Sequence, residues 1–222
     1  MTAVRKIERP RQVSEVVLER LRKDIVTGVF ALGEKISETH VAETYGVTKA
    51  PVRAAYVRLQ SEGLVEIRPQ SGTFVFAPTQ DDLRALCELR IALELEAVRL
   101  SLLRNPEGLK SSVYNICARM QDALAKGEQD RYQRLDNTLH LILFELANSP
   151  YLKETYEARI SSAFAALRHR FAQDASHNSA SIKEHTEIAD RIGAGDITGL
   201  RAILRQHIQN TEAYYEKLLS AD

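Results

Sequence analysis

The order of patterns in residues 12–77 constrains the fold more than any other feature of the sequence. Three stretches with apolar residues at helical spacing come first. Two short stretches, LVEIRP and TFVFAP, follow, and β-branched and aromatic residues dominate them, with QSG between. Helix, helix, glycine turn, helix and hairpin is the order of a winged helix-turn-helix. We therefore predict such a domain, with a two-stranded wing, over residues 1–77.

The helical stretches carry start and stop signals. The apolar positions of the first are Val13, Val16, Val17, Leu21, Ile25 and Val26. Gly28 is a suitable C-cap for that helix, and FALGEKIS then reads as a loop. Ser37 is placed to cap the second helix, ETHVAETY, and Gly46 to end it. Thr48 is placed to begin a third helix that runs to about Glu62.

The rest of the sequence lacks strand signals. We therefore predict an all-α second domain over residues 78–222. Short polar, glycine or proline turns separate its helical segments. The predicted helices are about 79–103, 107–126, 129–147, 150–173, 180–193 and 197–219. Short connections favour an antiparallel helical bundle. The predicted fold class is therefore mostly α.

Charge and composition set the broad class. The formal net charge is zero, yet residues 1–77 hold 12 basic and 9 acidic side chains, leaving 18 and 21 for the remainder. That asymmetry is the direction expected of a DNA-binding head on an acidic body. No apolar run approaches the roughly 20 residues that span a bilayer. The polar start MTAVRKIERPRQ lacks a signal-peptide core, so we expect a cytoplasmic protein. Cys87 and Cys117 read as buried apolar residues.

The third helix is the candidate DNA-reading element. In a helix-turn-helix the N-terminal residues of the second helix of the motif meet base edges in the major groove. Here that segment begins Thr48-Lys49-Ala50-Pro51-Val52-Arg53, and Lys49 and Arg53 project from one face. Arg53 suits a guanine edge or a phosphate, and Gly72 would let the wing backbone approach DNA closely. Spacing alone equally allows ordinary surface cations.

A candidate metal site lies in the second domain. Asp136 and His140 are four residues apart on one predicted helix, and His185 and His207 lie on two later helices. Bundle cores build metal sites from facing helices. One carboxylate and three imidazoles suit a divalent Zn, Ni, Mn or Fe ion. A helix-surface ion pair with two unrelated histidines is the alternative interpretation.

The N-terminal segments resemble a known family. GVTKAPVRAAYVRLQSEGLVEIRPQSGTFV and the upstream LRKDIVTGVFALGEKISETHVAETYGV are similar to the head of GntR bacterial regulators. The resemblance implies DNA contacts from Arg53 and Gly72. Thr39 and Lys49 stand where many relatives carry arginine. A bidentate arginine discriminates between bases by ~1–3 kcal/mol per contact. Because these two arginines are replaced, we expect an operator sequence that differs from the commonest one in the family.

The second domain resembles the FCD domain of the FadR subgroup. The similar segments are LCELRIALELEAVRLS, LDNTLHLILFELANSPYL, IKEHTEIADRIGAGD and LRAILRQHI. The resemblance implies a divalent metal held by Asp136, His140, His185 and His207. His169 and His177 lie outside this pattern and are expected at the surface. Arg90 matches an arginine that faces the family's ligand cavity, where its partner is either Glu94 or an anionic effector, and Tyr132 is expected to line the same cavity.

These expectations combine into one function. The resemblance implies a homodimer on palindromic double-stranded operator DNA, a repressor whose binding responds to a small carboxylate effector. A metal-responsive regulator, in which the metal is itself the signal, is the alternative. A metal-dependent hydrolase needs a general base beside the metal, and the sequence has no His-Glu-x-x-His run. We therefore expect no enzymatic activity.

Overall fold

The computed structural model describes residues 12–171 and 175–220, so the prediction for the extreme N-terminus lies outside the described residues. Among them, residues 12–25 and 29–76 form one compact unit, and residues 26–28 and 77–220 form another. None of the described helices has the length and apolar character to cross a membrane.

The described part of the first unit contains three helices. Helix α1 covers Val13–Val26, α2 covers Glu38–Tyr45 and α3 covers Lys49–Ser61. Ser37 caps α2 as predicted, because its Oγ accepts a hydrogen bond from the His40 backbone N–H at 3.0 Å. Gly46 follows α2 with φ of 65°, a left-handed conformation that glycine adopts without a Cβ clash.

Only some of the apolar residues of α1 are buried. Val13 and Val16 are exposed, at 56% and 49%. The face that packs consists of Val17, Leu18, Leu21 and Ile25. The six apolar residues spread around more than one face of the helix, so spacing alone could not select the correct stripe. With α3 and the sheet, that stripe completes the core of the unit.

Three strands form the sheet of the first unit. Strand β1 is Lys35–Ile36, β2 is Val65–Arg68 and β3 is Gly72–Val75, in the order β1-β3-β2 with antiparallel pairing. The hairpin of β2 and β3 was predicted. The prediction of FALGEKIS as loop throughout was wrong, since β1 lies within it. Two residues are too few to show alternation, so β1 leaves no sequence signal.

Helices make up the elements of the second unit that the structure describes. They are α4 (Gln80–Arg104), α5 (Pro106–Ala125), α6 (Gln129–Ala147), α7 (Pro150–Tyr156), α8 (Ser162–Phe171), α9 (Ala175–Ala194) and α10 (Ile197–Leu219). Helix α6 packs between α4 and α5, α9 packs against α5 and α10, and α10 returns to α4. The five longest helices thus close a ring around a shared core.

Two predicted helix boundaries in this unit were wrong. The single helix expected over 150–173 is interrupted by a π-helical turn at Glu157–Ser161, and residues 172–173 lie outside the described residues. The polar stretch expected to separate two helices is helical from Ala175 onward. Its polar side chains serve contacts rather than a turn: Asn178 is buried, and its Nδ2 donates to Gln129 Oε1 at 2.8 Å.

Candidate functional site

The exposed surface of the helix-turn-helix carries the residues predicted to contact DNA. Thr48, Lys49 and Arg53 lie in the first turns of α3, and Thr39 lies at the start of α2; all four side chains are exposed. Thr48 stands at the N-cap of α3, but its side chain makes no capping hydrogen bond there. Its hydroxyl therefore remains available to another partner.

A carboxylate from α2 holds Arg53. The Nε and Nη2 atoms of Arg53 donate to Glu38 Oε1 and Oε2 at 3.0 and 2.8 Å, which is a bidentate pair. The Arg53 guanidinium lowers the pKa of Glu38. Glu38 had no predicted role, because nothing in the sequence spacing pairs position 38 with position 53.

The wing places Gly72 beside its tip rather than at it. Gly72 opens β3, lies opposite Arg68 and has φ of 115°. The turn between the strands includes Gln70, with φ of 59°. Arg68 lies over the Phe74 ring at 4.4 Å and adds an exposed cation to the wing. Position 72 requires glycine because of its positive φ, a backbone conformation that residues with a Cβ rarely adopt.

The four predicted metal ligands come together inside the second unit. Asp136 and His140 lie on α6, His185 on α9 and His207 on α10, and all four are buried. Each of the three histidines offers a ring nitrogen within 4.8 Å of the other two. His185 Nε2 is 3.2 Å from His207 Nε2 and 3.6 Å from Asp136 Oδ1. This convergence favours the metal site over the alternative of unrelated surface histidines.

Carboxylates hold two of the imidazole rings through their Nδ1 atoms. His140 Nδ1 lies 2.8 Å from Glu94 Oε2, and His207 Nδ1 lies 2.7 Å from Glu184 Oε2. An ionised carboxylate can only accept, so each Nδ1 carries the proton and each Nε2 presents a lone pair. Such carboxylate–histidine pairs are the usual support of metal-ligating imidazoles. Glu184 was expected to point away from His185, and its contact with His207 was missed.

Two arginines also enter this cluster. Arg90 Nε donates to Glu94 at 2.7 Å, and Arg90 Nη2 lies 2.8 Å from His140 Nε2, so the predicted partner Glu94 is present. Arg168 Nη1 donates to Asp136, a contact that the sequence analysis did not anticipate. Both arginines are buried, at 1% and 6% exposure. Two guanidiniums therefore face ligand atoms of the cluster.

The donor set fits a divalent cation. Burial lowers the pKa of His140 to about 4 and holds the pKa of His185 well below its usual value. Both rings are therefore neutral at pH 7, the form that ligates metals. Burial alone would raise the pKa of Asp136, but the Arg168 guanidinium outweighs it and lowers that pKa. His185 Nδ1 is buried and without a hydrogen-bond partner among the described residues, so this ring lacks the carboxylate support that His140 and His207 have.

A narrow cavity adjoins the cluster. Its walls include Arg90, Tyr132, Asp136, Arg168 and His207. Tyr132, predicted to line such a cavity, is buried and its hydroxyl donates to the Asn178 carbonyl at 3.2 Å. The space open to the centre of a water molecule is about 10 Å³, room for roughly one water.

Two histidines expected at the surface, His169 and His177, are half-buried. His177 also lines this cavity, and its ring stacks on Tyr214 at 3.7 Å between centroids. Sequence spacing could not reveal this, because the stretch around His177 was taken as a turn.

A winged helix-turn-helix joined in one chain to an all-helical domain defines a class, the two-domain DNA-binding transcription regulator. Comparison with known proteins supports this class at the level of family. A model of the bacterial regulatory proteins of the gntR family matches residues 13–75, and a model of the FCD domain matches residues 85–210. The chain belongs to the GntR family of bacterial regulators and carries an FCD domain.

Individual relatives support the same family assignment. The HTH-type transcriptional repressor RspR of Escherichia coli (strain K12) is 24% identical over 209 residues, 94% of this chain and 91% of RspR. A solved GntR regulator from Rhodococcus sp. RHA1 aligns with a TM-score of 0.78 at 23% identity, over 91% of this chain and 96% of that one. The solved FCD domain of TM0439, described as metal-free, aligns with a TM-score of 0.58 at 22% identity, over 66% of this chain and 99% of that one. These structural matches establish the fold, and the relatives are named as regulators rather than enzymes.

Proposed function

We propose that this regulator is a homodimeric repressor whose operator binding is modulated by a small organic acid at a metal-containing site in the FCD domain. The buried histidine cluster is the observation that carries the proposal. A divalent ion there supplies a Lewis-acidic centre that binds carboxylates. Its ligands are the side chains Asp136, His140, His185 and His207. Since the target is bacterial operator DNA, we place the protein in the cytoplasm.

The surroundings of the cluster support an anionic effector. Arg90 and Arg168 line the cavity wall, where each already donates to a protein carboxylate, Glu94 or Asp136. Arg168 Nε is buried without a hydrogen-bond partner among the described residues, so a guanidinium N–H remains there for a carboxylate ligand. The cavity has room for about one water, so an organic acid enters only when wall side chains move. The acid shifts operator binding only when its affinity differs between two arrangements of the protein.

The DNA side of the proposal assigns contacts to the exposed residues of the head. Arg53, Lys49 and Thr48 on α3 would meet the major groove, with Thr39 beside them and Gly72 bringing the wing backbone close. Two heads are needed for a palindromic operator, which is why we propose a dimer. The name of RspR as a repressor supports the sign of regulation.

Elemental analysis of the purified protein tests the metal. We expect one divalent ion per chain, and loss of that ion in His185→Ala, because His185 Nε2 faces both His207 and Asp136. His40→Ala is the matched control, since His40 lies exposed in the head and should leave metal content unchanged. Full metal content in His185→Ala would refute the site.

The alternative of a metal-responsive regulator rests on the same cluster, because four protein ligands can bind an ion without any acid. Titrating metal against operator affinity in acid-free buffer separates the two functions. A large change in operator affinity with metal alone favours the metal sensor. No change with metal alone, followed by a change when carboxylic acids from a thermal-shift screen are added, favours the acid sensor.

A further inference from the structure

The ion pair between Glu38 and Arg53 has an orientation that matters for DNA recognition. Glu38 occupies the Nε and Nη2 atoms of Arg53, at 3.0 and 2.8 Å. A guanidinium has five N–H donors in a rigid planar fork. One edge is therefore held by the carboxylate, and the edge formed by Nη1 and the remaining Nη2 hydrogen is free of acceptors from the described residues. Arg53 is 68% exposed, so that free edge faces solvent.

The free edge has the geometry that a base requires. Arginine reads guanine by donating two parallel N–H groups to O6 and N7. A long exposed arginine without a partner samples many rotamers and loses that freedom on binding. An arginine already clamped along one edge loses less. Glu38 lies in the first turn of α2, anchored by the Ser37 cap, so the clamp rests on a fixed helix end.

We propose that Glu38 is a positioning residue for operator recognition, which holds the Arg53 guanidinium so that its free edge meets a base in the major groove. This inference rests on the proposed contact between Arg53 and operator DNA. The rival interpretation is that the pair only ties α2 to α3 and has no bearing on which sequence is bound.

Removing the charge of Glu38 has two effects on DNA affinity, and they are opposite in sign. A carboxylate near the DNA surface repels phosphates, so its removal raises affinity for any duplex. Loss of a held arginine lowers affinity only for the sequence that the arginine reads. Glu38→Gln should therefore bind random DNA as well as or better than the wild type, while its preference for operator falls. A simple electrostatic change cannot produce that combination.

The chain offers a matched control. Arg22 Nε and Nη2 form the same bidentate pair with Glu62, at 2.8 and 2.6 Å, but Glu62 lies at the C-terminal end of α3. Glu62→Gln removes an equivalent tie between helices of the same unit. It leaves the N-terminal turn of α3 untouched.

The experiment measures dissociation constants for operator and for random duplex at several salt concentrations, with operator taken from genomic fragments that the wild type selects. We expect Glu38→Gln to lower the operator-to-random affinity ratio about fivefold, the low end of one base contact. Glu62→Gln should keep the wild-type ratio. In an Arg53→Ala background, Glu38→Gln should change the ratio no further. Circular dichroism melts verify that each variant is folded.

The possible failures are distinguishable. If Arg53→Ala keeps the wild-type ratio, the proposed base contact of Arg53 is wrong and the positioning role falls with it. If Arg53→Ala lowers the ratio but Glu38→Gln does not, Arg53 reads DNA without help and only the positioning role is overturned. An equal fall in Glu38→Gln and Glu62→Gln would assign the effect to the general stability of the head, and would also overturn it.

Discussion

Glu94 binds Arg90, which lines the cavity beside the histidine cluster, within the core of the FCD domain. Its carboxylate is fully buried and contacts Arg90 at 2.7 Å, His140 at 2.8 Å and the Tyr156 hydroxyl at 3.2 Å. Burial alone would raise the pKa of Glu94, but His140 and Arg90 outweigh it and lower that pKa. We expect Glu94→Gln to lower the free energy of unfolding by about 3–5 kcal/mol, because it leaves the Arg90 charge buried without its partner. Urea unfolding measures this change.

Glu96 on the same helix provides the control. It forms an ion pair with Arg99 at 2.7 Å, but the two side chains are 44% and 49% exposed. Solvent screens such a pair, so Glu96→Gln should change the free energy of unfolding by less than about 1 kcal/mol. Similar changes in the two variants would show that Glu94 does not hold a buried charge in place.

Single residues also mark the limit of what the sequence predicts about the site. Asp136 and His140 share a helix face, His185 and His207 lie on two later helices, and the family resemblance implied all four as metal ligands, so the convergent set was predictable. Glu184 and Arg168 were not, since their contacts with His207 and Asp136 join separate helices and depend on how each helix is rotated. Helical periodicity gives the face of one helix, not the register between two.

At the scale of the element, two threonines at helix starts have different roles. Thr79 caps α4 in a reciprocal arrangement: its Oγ1 accepts from the Asp82 backbone at 3.1 Å, and Asp82 accepts from the Thr79 backbone at 3.0 Å. Thr48 holds the same position at α3 without a capping bond from its side chain. We expect Thr79→Ala to reduce stability by about 1 kcal/mol and Thr48→Ala by only a few tenths.

Binding data separate the two threonines further. If Thr48 donates to a phosphate, Thr48→Ala should weaken operator and random DNA alike, because phosphate contacts carry no sequence information. Thr79→Ala should leave both affinities near those of the wild type. A loss of stability in Thr48→Ala as large as that in Thr79→Ala would contradict the difference in capping.

Elements with strong local signals were predicted well, and those with weak signals were not. The Ser37 cap, the helix end at Gly46 and the hairpin strands each follow from local chemistry. Together they predicted the order of elements in the DNA-binding domain. The short strand β1, the π-helical turn at Glu157–Ser161 and the early part of α9 depend on tertiary contacts. A polar stretch such as the one around Asn178 resembles a turn until its buried partners are known.

At the scale of the whole molecule, the central question is whether the FCD domain and the DNA-binding head share one equilibrium. If an organic acid reduces operator affinity by some factor, operator DNA must reduce acid affinity by the same factor, since linkage of binding free energies is reciprocal. Such factors commonly lie at about 5–150-fold. The prediction applies to the metal-loaded, full-length protein.

Calorimetric titration of the metal-loaded protein with the acid, alone and with saturating operator duplex, checks this prediction. We expect weaker acid binding in the operator complex by the factor found independently from operator binding with and without acid. Random duplex, at concentrations that saturate nonspecific binding, should produce a smaller change, because in the proposed mechanism the acid acts on the arrangement of two heads over spaced half-sites. An acid that binds equally well with and without operator occupies the cavity without being the signal, since equal affinity for both arrangements shifts neither.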